Sequence, residues 1–118
     1  VEFLRCREAG ADNLVRADAL ILGTPENFGY MSGALKDFFD RAYYPCLKHT
    51  RGRPYGLLVR AGGGGSAAVD AVVPLATGLE WRAVGEPIIA AGDLTDSHLA
   101  AARELGADLA GGMAAGLW

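Results

Sequence analysis

Short apolar runs alternate along this chain with longer stretches in which apolar residues return every third or fourth position. Ala19–Leu22, Leu57–Val59 and Ile88–Ala90 are continuous runs of strand formers. Such runs suit strands buried on both faces of a parallel sheet. Met31, Leu35, Phe38, Phe39 and Ala42 instead follow helical spacing, as do Val69, Val72, Val73 and Leu75. Leu99, Ala102, Leu105, Leu109 and Met113 make a third such stripe. The pattern predicts strands near Val1–Arg7, Ala19–Gly23, Tyr55–Arg60 and Ile88–Ala91, all parallel, with helices starting at Met31, Ser66 and Thr95 or Asp96. Strands alternating with helices define an α/β fold.

The breaks between these runs carry the chemistry. Gly23–Gly29 separates a strand from a helix and contains Pro25, which has no N–H, and two glycines free of the Cβ restriction. Gly62-Gly63-Gly64-Gly65 follows the next strand directly, with Ser66 placed to cap the helix after it. Backbone without side chains approaches a flat ligand or an anion closely. Both breaks fall at carboxyl ends of strands, where open parallel sheets bind ligands. Ala9–Arg16 reads as a polar connection with about one helical turn led by Asp12. Pro74 predicts a kink or a break in its helix, Pro87 places the last strand at an edge, and Gly111-Gly112 weakens the final helical turn.

Composition narrows the class. One domain fits 118 residues, and the net charge of −3 comes with no basic stripe, which argues against nucleic acid. No apolar run is long enough for a membrane span, and no basic segment leads into an apolar one at the start, so a cytosolic protein is expected. Cys6 and Cys46 are too few for a disulfide framework and read as small buried apolar groups. The basic loop Lys48–Pro54 reads as a solvated crossover. His49 has no companion at ligand spacing, so no metal site is expected.

Thr24-Pro25-Glu26-Asn27-Phe28-Gly29, continued by Met31-Ser32-Gly33-Ala34-Leu35-Lys36 and Phe39-Asp40-Arg41, resembles the flavin loop and following helix of flavodoxin-like NAD(P)H-dependent reductases. That group includes the FMN reductases and the multimeric flavodoxin-like quinone reductases. Gly62–Ser66, Val84–Pro87 and Leu105–Leu109 are similar to their counterparts there, less specifically. The resemblance implies a flavodoxin-like α/β/α sandwich, bound FMN, and NAD(P)H as co-substrate. It also implies hydride transfer to a quinone, a flavin or a related small acceptor, in a homodimer or homotetramer. Thr24, Pro25, Glu26, Asn27, Phe28, Gly29 and Gly62 to Gly65 become the expected cofactor contacts. No residue takes an acid–base or nucleophilic role, because the flavin carries the chemistry.

Phe38 and Phe39 lie on an apolar helical stripe and are read as core, whereas Phe28, in the loop, is read as ligand-facing. Glu26 resembles the FMN-reductase branch, which leaves the acceptor open. Tyr43, Tyr44 and Pro45 follow the long helix, where the resemblance places subunit contacts. An electron-carrying flavodoxin and a flavin-free scaffold are the alternative readings.

The family pattern opens, ahead of the segment matching Val1, with a unit of roughly 30 residues in all: a strand, a phosphate loop and a helix. The expectation is therefore a single domain lacking that unit, either truncated or completed by another segment.

Overall fold

The computed structural model describes residues 1–118. Four strands form one parallel sheet: β1 (Leu20–Pro25), β2 (Pro54–Ala61), β3 (Arg82–Ala83) and β4 (Ile88–Ala91). β2 is central. It pairs with β1 in the register Leu20 opposite Tyr55 through Pro25 opposite Arg60. On its other side it pairs first with β3 and then with β4, two pieces of one interrupted edge. Pro87 sits in that interruption, where its missing N–H costs no ladder bond.

Four helices complete the chain: α1 (Ala11–Arg16), α2 (Gly33–Cys46), α3 (Ser66–Gly78) and α4 (Asp96–Ala114). α2 buries Leu35, Phe38, Phe39, Ala42 and Cys46, the stripe its spacing predicts. Met31 is buried too, but lies ahead of the helix. The helix starts later than its apolar period suggests because Ser32 takes the N-cap position, its Oγ accepting from Leu35 N at 3.1 Å. The core joins α2 and α3 to one face of the sheet through Leu22, Leu57, Val59, Val72, Ala76 and Trp81. α4 packs on the other face, where Leu105 presses against Gly56 so closely that an added Cβ would stand 2.6 Å from its Cδ2.

Several expectations fail for physical reasons. No strand forms over Val1–Arg7; the segment is coil and turn, with Val1 and Phe3 exposed. A lone extended segment has no neighbour to take its backbone groups, and β1 pairs only with β2. β1 is not buried on both faces: Leu22 and Thr24 point into the core, but Ile21 is 42% exposed on the opposite face. β2 does match the double-sided reading over most of its length. The α1 cap is Gly10, not Asp12, and the Asn13 side chain accepts from Gly10 N at 2.8 Å.

Pro45 lies inside α2 and Pro74 inside α3, so neither ends its helix. Proline removes one helical donor, and the buried Val72 and Ala76 around Pro74 keep that helix seated on the core.

The basic loop is only partly solvated. Thr50 is buried, accepting from Trp81 Nε1 at 2.8 Å and donating to the Cys46 carbonyl at 3.3 Å. Arg53 donates to the carbonyls of Leu14 and Ala17, and so holds the carboxyl end of α1. Arg41 ties the segment ahead of α1 through the carbonyls of Cys6 and Ala9, each at 2.8 Å. Cys46 is fully buried and Cys6 half-buried. Burial pushes both thiols up, which keeps them neutral and poor nucleophiles.

Candidate functional site

The loops after β1 and β2 leave the same edge of the sheet, as parallel neighbours require. Loop 1 is closed from within. Thr24 is only 4% exposed, and its hydroxyl accepts from Ser32 N at 2.9 Å while donating to the Pro25 carbonyl at 2.8 Å. That pair of bonds pins the start of α2 to the end of β1. Glu26 N donates to the Arg60 carbonyl at 2.9 Å and extends the β1–β2 ladder by one residue.

Beyond it the chain turns on two residues. Asn27 and Tyr30 exchange backbone hydrogen bonds at 2.9 and 3.0 Å, with Phe28 at φ +52 and Gly29 at φ +70 between them. Two left-handed central residues match the tight turn of a hairpin. Gly29 takes that conformation without strain, whereas Phe28 takes it at a cost. Its ring is also fully exposed, at 107%. Strain of this kind concentrates at ligand sites.

Loop 2 starts at Gly62. Neither Phe28 nor Gly29, nor Gly62, Gly63 or Gly64, donates its N–H to any group of the chain. A Cβ built on Gly29, Gly62 or Gly63 would meet nothing within 4 Å. Gly65 differs: it is buried, at φ +99, and its Cβ would stand 2.4 Å from Ile89 Cγ2. It is also the N-cap of α3, the position expected for Ser66.

An open groove of about 320 Å³ runs between the loops, lined by Pro25, Glu26, Asn27, Arg60, Ala61, Gly62 and Gly92. The expected contacts therefore separate by role. Pro25, Glu26, Asn27 and Gly62 line the groove; Phe28 and Gly29 form the hairpin tip beside it. Thr24 and Gly65 are buried supports, and Gly63 and Gly64 bring open backbone next to the groove.

Arg60 and Gly92 line the groove without having been singled out from the sequence. Arg60 Nη1 donates to the carbonyls of Ala90 at 2.9 Å and Gly92 at 2.6 Å, which ties the β4 end to the groove floor. A cation ending an apolar strand run was the available signal. Loops with unpaired donors and no side chains in the way fit a planar ring that presents carbonyl and ring-nitrogen acceptors at its edge, as the isoalloxazine of FMN does.

A parallel sheet, helices on both faces and an open groove at its carboxyl edge define a flavodoxin-like α/β protein. Residues 7–96 match the family model described as NADPH-dependent FMN reductase. The chain belongs to that family.

Solved structures agree on the fold. A WrbA-like flavodoxin from Agrobacterium tumefaciens superposes with a TM-score of 0.74 at 24% identity, covering 85% of this chain and 68% of that one. An oxidoreductase from Corynebacterium diphtheriae gives 0.64 at 21% identity, over 84% and 55%. An NADPH-quinone reductase from P. pentosaceus gives 0.60 at 18% identity, over 84% and 69%. No curated protein matches the chain. No helix is long and apolar enough to cross a membrane.

Proposed function

We propose that the protein is an FMN-dependent oxidoreductase that takes hydride from NAD(P)H and delivers it to a quinone, a flavin or a related small acceptor. The observation that carries this reading is the groove between two loops with unpartnered backbone N–H groups at Phe28, Gly29 and Gly62 to Gly64, in a chain of this family. FMN, when bound, supplies the hydride chemistry; the chain's residues supply position. The hairpin tip and the glycine loop would hold the ring's polar edge. Phe28 and Tyr30 would shape the space that nicotinamide and then acceptor enter. This chain spans 69% of the length of the NADPH-quinone reductase from P. pentosaceus and 55% of that of the oxidoreductase from Corynebacterium diphtheriae.

The test is the visible absorption spectrum of purified protein mixed with FMN. A bound-flavin spectrum that NADPH bleaches supports the reductase. A bound flavin inert to NADPH supports an electron carrier, and no binding at all supports a flavin-free scaffold.

Gly29→Val sharpens the test. It should weaken FMN at least about tenfold, because a β-branched side chain at φ +70 distorts the turn by roughly 1–2 kcal/mol. The Cβ would meet open space rather than the core, so the fold should stand. Equal affinity in a fluorescence titration overturns the flavin-loop reading.

We further propose that the protein self-associates through the carboxyl end of α2. Tyr44 is 79% exposed there, and its ring stacks edge-on against Tyr43 at 5.3 Å. Tyr43 itself is half-buried, its hydroxyl lying over Gly78. Exposed aromatics suit an interface. Light scattering at micromolar concentration should return at least the dimer mass, and Tyr44→Glu should shift it towards monomer; a monomeric wild type refutes the proposal.

A further inference from the structure

Helix α3 begins without a cap of its own. Gly65 has no side chain to offer, and no neighbouring residue bonds to the first N–H groups. The acceptor comes from loop 1 instead: Glu26 Oε2 accepts from Ala68 N at 3.2 Å, across 42 residues of sequence. The other oxygen, Oε1, lies 3.9 Å from where a Cβ on Gly64 would stand. The Glu26 backbone is itself fixed by its bond to Arg60, so the carboxylate is delivered from a pinned position.

A glycine loop running into a helix N-terminus has the form of a phosphate cradle, with open N–H groups and a favourable dipole. Here a carboxylate already occupies the helix end. A second anion brought to the same N–H groups would meet a like charge at close range.

We propose that Glu26 is a specificity-determining residue: its carboxylate holds the N-terminal end of α3 and closes it to phosphate. This exclusion does not rest on the flavin reading, since it concerns only the carboxylate and the helix end.

The experiment is a titration of the protein with inorganic phosphate, followed at the backbone amides of Ser66, Ala67 and Ala68 by NMR. Wild type should show no saturable shift there. Glu26→Ala should bind phosphate at least about tenfold more tightly than wild type. Glu26→Gln keeps an oxygen for Ala68 N–H but loses the charge. It should bind phosphate severalfold more tightly than wild type, with the difference shrinking as salt rises.

Should Glu26→Ala fail to fold, the glutamine variant decides alone. Variants that bind phosphate no better than wild type, or a wild type that already binds it at these amides, overturn the proposal. FMN failing to bind any of the three proteins would count against the flavin reading and leave this result intact.

Discussion

Phe39→Ala should cost about 3–5 kcal/mol of stability, the range for deleting a buried aromatic ring. Phe39 is 2% exposed. Its ring lies 5.8 Å from that of Phe38, edge to face, and 6.0 Å from that of Trp81. Trp81 in turn meets Tyr55 of β2 at 5.8 Å and donates to Thr50. Removing the ring therefore opens a cavity where α2, the central strand and the end of α3 meet.

Against a total stability of roughly 5–15 kcal/mol for a domain of this kind, that loss brings the protein near its threshold. The site should suffer with the core, because α2 carries Ser32, whose N–H holds Thr24 and so closes loop 1. Urea denaturation should show a lowered midpoint with an unchanged slope. A cost under about 1 kcal/mol would mean that Phe39 is not the junction described.

Gly65→Ala should be the most damaging single-methyl addition in loop 2. Two costs meet there. A left-handed φ of +99 penalises any Cβ by roughly 1–2 kcal/mol. The new atom would also stand 2.4 Å from Ile89 Cγ2, which forces repacking of a kind that costs about 1–3 kcal/mol.

Ile89 belongs to β4, so relief would push the glycine loop away from the sheet edge and widen the groove. Gly63→Ala is the control. Its Cβ meets nothing within 4 Å and its φ is not positive, so its thermal midpoint should stay near wild type, within about 0.5 kcal/mol. The stability contrast is decisive: equal midpoints would remove the structural role assigned to Gly65.

The strand–loop–helix alternation was legible because it rests on local periodicity. Leu35, Phe38, Phe39 and Ala42 are buried as their spacing requires, and β1, β2 and β4 form where apolar runs stand. Loop 1 was legible in its residue types, since Pro25 and Gly29 constrain the backbone wherever they occur.

Pairing was not legible. The segment Val1–Arg7 has strand formers but no neighbour, and a ladder needs two chains of backbone groups. The burial of β1 on one face only has the same origin: a run of apolar residues records preference, while packing depends on what lies opposite.

The site's supports lay furthest from view. Ser66 has the residue type of a helix cap and Gly65 has not, yet the cap is a carboxylate supplied from loop 1. Thr24 looked like a ligand contact and is a buried latch. Arg60 and Gly92 reach the groove because β2 and β4 are neighbours with their carboxyl ends together. By itself the sequence determined the class of fold, the two loops and the residue types available to a ligand. Only the tertiary structure decided which of those residues face the groove and which hold the loops in place. The physical reason is range: spacing and backbone preference act within a few residues, whereas hydrogen bonds such as Glu26 to Ala68 close over distances along the chain that no local pattern encodes.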